Sequence, residues 1–357
     1  MSDTTVTAIP ALSELTTLRV GGVPQALIAP TTEVELVKAA SELWSQDEPW
    51  LILGGGSNTV APDDGFPGTV LHVVTRGIET LPSEHEGEVR LRIQAGEPWD
   101  DVVAHAVAHG WAGIEALSGI PGSTGAVPVQ NVGAYGQEVG SALVAIDVLD
   151  AESLEVRRLE ASELKLGYRD SIFKHGYQGL ITAVELTLTQ AGTDASASGA
   201  PVAYAQLATA LGVELGARVP LSAAREAVLA LRRSKGMVLD SADPDTASAG
   251  SFFTNPIVPE SFARDLPGDG PRWPVADQPD DGPVLVKLSA AWLIEHSGIA
   301  RGFALPGSRA AVSSKHTLAL TNRGGATAAE IVQLATFIQA RVSNDFGINL
   351  QPEPVIL

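Results

Sequence analysis

Four stretches of this chain combine residue types that can do chemistry. The first, Gly54-Gly55-Gly56-Ser57-Asn58, follows the apolar run Trp50-Leu51-Ile52-Leu53. Glycines after a strand let the backbone approach a ligand closely and aim N–H groups at phosphate oxygens. The run is neither a G-x-G-x-x-G fingerprint nor a Walker loop, so alone it is equally a strand-ending turn. The second, Gly119-Ile120-Pro121-Gly122-Ser123-Thr124-Gly125, continues to Gln130-Asn131-Val132-Gly133-Ala134-Tyr135-Gly136. So long a loop, rich in Gly beside Asn, Gln, Ser and Thr, suits a backbone that wraps a cofactor. The third is Gly167-Tyr168-Arg169-Asp170-Ser171, where an Arg fork near an Asp suits a carboxylate. By itself an ordinary surface ion pair explains it. The fourth is Ala249-Gly250-Ser251-Phe252-Phe253-Thr254-Asn255-Pro256. Its serine is sterically open and two aromatics can anchor it. No G-x-S-x-G elbow surrounds it, which argues against a serine hydrolase. A bare serine is a poor base but can deliver a proton to a strongly basic carbanion. Taken alone, the stretch is a turn with a buried Phe pair.

Alternating strands and helices must position these stretches. Thr32 and Glu35 form a capping box before Leu36, Ala40, Leu43 and Trp44 at helical spacing. Trp50–Leu53 and Val70–Val74 read as short strands. Val89, Leu91, Ile93 and Ala95 alternate with polar residues, the period of a half-buried strand. A helix is expected from Trp99 to His109, stopped by Gly110. Strands follow at Leu143–Leu149 and Leu180–Thr189. In the second, Val184, Leu186 and Leu188 face one way and Glu185, Thr187 and Thr189 the other. Ala191–Ala200 and Pro267–Pro283 read as exposed loops. Helices are expected at Ser222–Arg233 and Leu288–His296. A third, capped by Thr327 and Glu330, carries Ile331, Leu334, Ala335, Ile338 and Val342 on one face. The chain ends on an extended tail. This is an α+β pattern with a domain break near residue 200.

The 357 residues are 45% hydrophobic and 18% charged, a globular composition long enough for two or three domains. A formal net charge of −19 disfavours nucleic acid and anionic membrane as partners, and an anionic substrate then needs a locally basic pocket. With no cysteine there is no disulfide, thiol nucleophile or thiolate metal site. Met1–Val20 does not read as a signal peptide, and no apolar run approaches the ~20 residues that span a bilayer. A cytoplasmic location is expected. His105 and His109 have the i, i+4 spacing of metal ligands but lack the glutamate of H-E-x-x-H, so a plain helix surface is expected there and no metal site.

In order and spacing the motifs together resemble the UDP-N-acetylenolpyruvoylglucosamine reductase family over nearly the whole chain. The matching segments are Thr17–Gly22, Gly54–Asn58, Ile120–Gly125, Gln130–Gly136, Gly167–Ser171, Gly250–Pro256, Leu288–Ile294 and Pro352–Glu353. Tyr204 stands where the form of the family with a mobile tyrosine loop carries its Tyr. The resemblance implies a two-subdomain FAD-binding fold of the vanillyl-alcohol-oxidase type, with subdomains at 1–80 and 81–200. An α/β substrate-binding domain follows at 201–345, and a tail at 346–357 returns to the active site. It implies non-covalent FAD, NADPH as hydride donor, a UDP-sugar substrate and a monomer. The resemblance further implies that flavin N5 passes hydride to the enol ether and that charge develops beside the substrate carboxylate.

By resemblance, Arg169 and Glu353 stabilise that charge and Ser251 protonates the carbanion. A Glu followed by Val355, Ile356 and Leu357 is expected to have a raised pKa. The FAD contacts implied are Gly54, Gly55, Gly56, Ser57, Asn58, Gly119, Pro121, Gly122, Ser123, Gly125, Asn131, Gly133, Ala134 and Tyr135. Tyr204, Lys235 and Asn255 are read as diphosphate ligands. Lys235 ends the basic run Arg232-Arg233-Ser234-Lys235, which otherwise reads as a helix end complementing its dipole. His296 stands where a glutamine is expected in some relatives, and Gln351 where an acidic residue can precede Pro-Glu. Two rivals remain: a flavin oxidase of the same cofactor fold, and a sugar-nucleotide sensor. Neither requires Ser251, Arg169 and Glu353 together.

Overall fold

The computed structural model describes residues 8–83, 85–192, 198–275 and 282–357. Parts of the loops expected at Ala191–Ala200 and Pro267–Pro283 lie outside these residues. The described chain forms two compact units. Unit 1 holds the residues up to Ile9 with Pro24–Gly56 and Phe66–Ser234; unit 2 holds Pro10–Val23, Ser57–Gly65 and Lys235–Leu357. Compactness thus divides the chain at Ser234, where pattern alone places a break near 200. Residues 205–234 stay with unit 1 because Leu207, Ala208, Ala224 and Val228 share a core with Ala116 and Val202.

Unit 1 contains a parallel three-stranded sheet in the order Ala26–Ile28, Thr69–His72, Trp50–Leu53. Helix α1, Glu33–Trp44, buries Leu36, Ala40 and Leu43 in one core with Leu71, Val73, Leu149 and Leu180. Its N-terminus is the capping box read from the sequence: the Thr32 hydroxyl accepts the Glu35 N–H. A larger antiparallel sheet runs Val156–Glu160, Leu143–Asp150, Gly179–Gln190, Glu88–Gln94, Ile78–Leu81, and Trp111–Ala112 also pairs with Gly179–Gln190. Val184, Leu186 and Leu188 are buried with Leu91 and Ile93 beneath Trp99, Val102 and Ala106 of α2, Trp99–Ala108. The opposite face is not simply wet. Glu185 is buried there because Arg90 and Arg158 both pair with it. Arg92 bridges Glu33 and Asp147 on the same face. Helices α3, Ala205–Leu211, and α4, Leu221–Ser234, complete the unit.

Unit 2 has two small antiparallel sheets. One runs Ser248–Ser251, Ala319–Asn322, Ala310–Val312; the other runs Ile257–Pro259, Leu285–Leu288, Arg272–Pro274. Helix α5 spans Ala290–His296, and helix α6 spans Ala328–Phe346 with the expected Thr327/Glu330 box. Ile331, Leu334, Ala335, Ile338 and Val342 of α6 share a core with Phe252, Phe253, Leu293 and Ile294. The early segments Pro10–Val23 and Ser57–Gly65 add Leu18, Val20 and Val60 to that core. The tail does not stay free. Val355–Ile356 pairs in parallel with Thr59–Val60. No helix among the described residues is long and apolar enough to cross a membrane.

Candidate active site

In unit 1 the two glycine-rich motifs meet. A Cβ on Gly55 would lie 2.6 Å from the Gly122 Cα and 3.0 Å from the Ser123 N, and one on Gly54 would lie 2.2 Å from the Ser123 hydroxyl. Glycine is needed here for loop-to-loop contact. The second loop is pinned along the start of α2: Trp99 N–H donates to the Gly122 carbonyl at 3.0 Å, Thr124 N–H to Glu97 at 2.8 Å, and Gly125 N–H to Ala95 at 2.8 Å. The N–H groups of Gly55, Gly56, Gly122 and Ser123 take no partner among the described residues. Several free amides on two apposed loops make a donor set for a diphosphate, so these residues fit an anionic dinucleotide such as FAD. Behind them His72 hydrogen-bonds the Gly54 backbone; burial first, then the Arg76 charge, push its imidazole down against that bond.

Further along, Asn131 is buried in a left-handed conformation with φ 42°. Its Nδ2 donates to Glu138 and to the Gly167 carbonyl at 3.0 Å each, and its Oδ1 accepts the Gly140 N–H at 3.0 Å. The side chain therefore shapes the loop. At Gly133 a Cβ would come within 2.6 Å of the Glu138 Cγ. The Gly133 carbonyl accepts a guanidinium N–H of Arg169 at 2.9 Å. Arg169 itself has φ 55°, an uncommon conformation for a non-glycine residue, and its guanidinium lies over the Tyr168 ring. The Asp170 beside it pairs with His175, not with Arg169. Tyr135 and Tyr204 meet edge to face with centroids 5.7 Å apart. Burial pushes the Tyr135 phenol up, opposed by the Arg232 charge.

Unit 2 holds the serine and the tail glutamate. The Phe252 N–H donates to Leu318 at 2.7 Å, and the Phe252 carbonyl accepts the Glu353 N–H at 2.9 Å. A bridge between Phe253 and Pro352 extends this ladder, and Thr254 N–H donates to Gln351 at 3.1 Å. Glu353 is thereby held one residue out of step with Ser251 by bonds that involve neither side chain. The Asn58 Nδ2 donates to the Glu353 carbonyl at 3.1 Å, so the end of the first motif also fixes the tail. Val355, Ile356 and Leu357 are exposed. Their strand pairs with Thr59–Val60 in a two-stranded sheet.

The Asn255 Oδ1 accepts the first helical N–H of α5, from Ala290, at 3.0 Å. What Asn255 has left to offer a ligand is its amide N–H₂. Lys235 has His316 as a half-buried neighbour, a residue that pattern alone does not pick out. Burial first, then the Lys235 charge, push the His316 imidazole down to about 4; Glu295 opposes and Arg301 adds. The loop bearing His316 is fastened from behind. Asp245 accepts the Ser314 N–H at 2.9 Å and the Ser314 hydroxyl, and Lys315 pairs with Asp243. His296 is exposed, with its ring stacked on Trp292 at 3.8 Å. His109 stacks on Trp111, and His105 meets the same ring edge-on.

The site residues read from the sequence thus fall into two sets. Gly54, Gly55 and Gly56, the loop 119–135, Arg169 and Tyr204 belong to unit 1; Ser57, Asn58, Lys235, Ser251, Asn255 and Glu353 belong to unit 2.

Comparison with known proteins agrees with both halves. Residues 24–157 match the model of an FAD binding domain, and residues 243–357 match the C-terminal domain of UDP-N-acetylenolpyruvoylglucosamine reductase. A curated UDP-N-acetylenolpyruvoylglucosamine reductase from Leifsonia xyli is 58% identical, covering 98% of each chain. Another from Salinispora arenicola is 46% identical, covering 97% of this chain and 94% of its own. The solved reductase from Thermus caldophilus superposes with a TM-score of 0.65 at 23% identity, covering 97% of each chain, and shares the fold.

Proposed function

The chain belongs to the UDP-N-acetylenolpyruvoylglucosamine reductase family, and on that premise we propose how its own residues carry out the reaction. It is an FAD-dependent oxidoreductase that uses NADPH to reduce the enolpyruvyl group of a UDP-sugar in peptidoglycan precursor synthesis. When bound, FAD would supply the hydride chemistry that links NADPH to the enol ether. The amides of Gly55, Gly56, Gly122 and Ser123 would hold its diphosphate, while Asn131 and Gly133 keep the loop in shape.

Hydride arrival at the methylene carbon leaves negative charge on the neighbouring carbon and its carboxylate. Arg169 and Glu353 stabilise that charge, the first through guanidinium donors and the second through a carboxyl group hydrogen-bonded to the enolic oxygen. Ser251 gives its proton to the carbon. A hydroxyl is a weak acid, so the step needs a more basic carbanion and a fixed geometry. Lys235, Tyr204 and the Asn255 amide bind the substrate diphosphate, where Lys235 gives the local positive charge that a chain of net charge −19 otherwise lacks. The enzyme works as a monomer in the cytoplasm, with no nucleic-acid or membrane partner.

The observation that supports this reading is the ladder from Phe252 to Glu353, which holds the backbone next to Ser251 against the backbone of the tail glutamate. Purified protein is expected to be yellow and to release all its flavin on denaturation. NADPH consumption should require the enolpyruvyl UDP-sugar. Consumption driven by oxygen alone would favour an oxidase, and binding without turnover would favour a sensor.

A further inference from the structure

Asp100 lies in the first turn of α2, outside every motif singled out above. Its Oδ1 accepts the Gly119 N–H at 2.6 Å. The Arg225 fork from α4 grips both carboxylate oxygens, at 2.6 and 2.9 Å. A bidentate pair of this kind fixes both direction and distance. Arg232, two turns further along α4 and buried, also places its charge on Asp100. Burial pushes the Asp100 carboxyl up, but Arg225, the Gly119 N–H and the Arg232 charge outweigh it and hold it below the usual carboxylate range.

The segment beside Asp100 fastens the same loop at three other points. Trp99 bonds Gly122, Glu97 bonds Thr124, and Ala95 bonds Gly125. Those three links are backbone to backbone. Gly119, which opens the loop with φ +72°, is held instead by the Asp100 side chain. The free amides of Gly122 and Ser123 follow three and four residues later. Their aim depends on where Gly119 starts the turn.

We propose that Asp100 is a positioning residue for the flavin: it fixes Gly119, and through it the Gly122 and Ser123 amides, while Arg225 holds Asp100 in place. The inference rests on the assignment of those amides to FAD. If the pair only ties α4 to α2, its loss lowers the melting temperature and leaves the FAD affinity of folded protein unchanged.

The test uses the full-length protein with its flavin removed and added back, following quenching of flavin fluorescence, with circular dichroism to confirm folding. Wild-type protein that takes up no FAD removes the cofactor reading itself. If wild type binds, Asp100→Ala is expected to raise the FAD Kd by ~10-fold or more, the scale of one charge-assisted hydrogen bond. Asp100→Asn keeps an oxygen for Gly119, so about a threefold rise is expected. A Kd for Asp100→Ala within twofold of wild type overturns the proposal, and so does an equal loss in Ala and Asn. Should Asp100→Ala not fold, Arg225→Gln decides: a Kd raised severalfold supports the role, and an unchanged one overturns it.

Discussion

The paired loops of unit 1 and the ladder of unit 2 present opposite kinds of group. At Gly55 and Gly122 there is no side chain, and the backbone N–H groups take no partner among the described residues. Around Phe252 and Glu353 the ladder consumes backbone groups, and the groups proposed to act are side chains: the Ser251 hydroxyl and the Glu353 carboxyl. The first arrangement suits a cofactor that must be held the same way in every turnover. The second suits chemistry, where a proton moves from one placed atom. The first should therefore fail when an atom is added, and the second when an atom is removed.

Adding a Cβ in the first region should have the largest effect on affinity. In Gly55→Ala the new carbon meets the Gly122 backbone, which no side-chain rotation relieves. An overpacking cost of about 3 kcal/mol would raise the FAD Kd roughly 100-fold. Equilibrium titration with FAD measures it, and an unchanged Kd would mean the apposed loops do not hold the cofactor.

Removing a proposed diphosphate contact should act more moderately. Lys235→Ala is expected to cost about 1.5–3 kcal/mol of substrate binding, a roughly 10- to 100-fold rise in KM with a smaller change in kcat. Tyr204→Phe keeps the ring packed on Tyr135 and should cost less. Steady-state kinetics with the UDP-sugar varied separates KM from kcat. An unchanged KM in both variants would remove these positions from the diphosphate site.

The smallest expected effect is on pH dependence. The folded His316 titrates at about 4, below the ordinary value of 6.5. As pH falls through that window, the unfolded chain takes up a proton that the folded chain refuses, so stability present above pH 6.5 is lost toward pH 4. His316→Gln should flatten this loss. Denaturant midpoints at about pH 7 and about pH 5 compare the two proteins. Equal slopes would mean that His316 is not held neutral by its burial and by Lys235.

The same contrast explains what the sequence discloses. Period-2 alternation at Glu88–Gln94 and the capping boxes at Thr32 and Thr327 are local signals, and the structure keeps them. The glycine motifs are legible because absence of a side chain is itself a residue type. The frame of the second region is not local. Thr17 bonds the Ser248 carbonyl 231 residues away, and Asn58 bonds the Glu353 carbonyl across 295 residues. No periodicity announces that Pro10–Val23 and Ser57–Gly65 belong with unit 2. Asp100 and Arg225, 125 residues apart, are unremarkable helix charges until the chain folds. Ser251 and Glu353 themselves stand out only through the order of motifs that resembles one family.

The central claim is that unit 1 keeps the flavin while Ser251 acts only when substrate is reduced. Stopped-flow measurement of the two half-reactions in Ser251→Ala tests it most directly. Flavin binding and flavin reduction by NADPH should be nearly unchanged. Reoxidation by the enolpyruvyl UDP-sugar should slow by at least ~100-fold, the lower scale of a positioned general acid, and Ser251→Cys should recover part of that rate. Equal slowing of both half-reactions, or of neither, would contradict the assignment of the proton to Ser251.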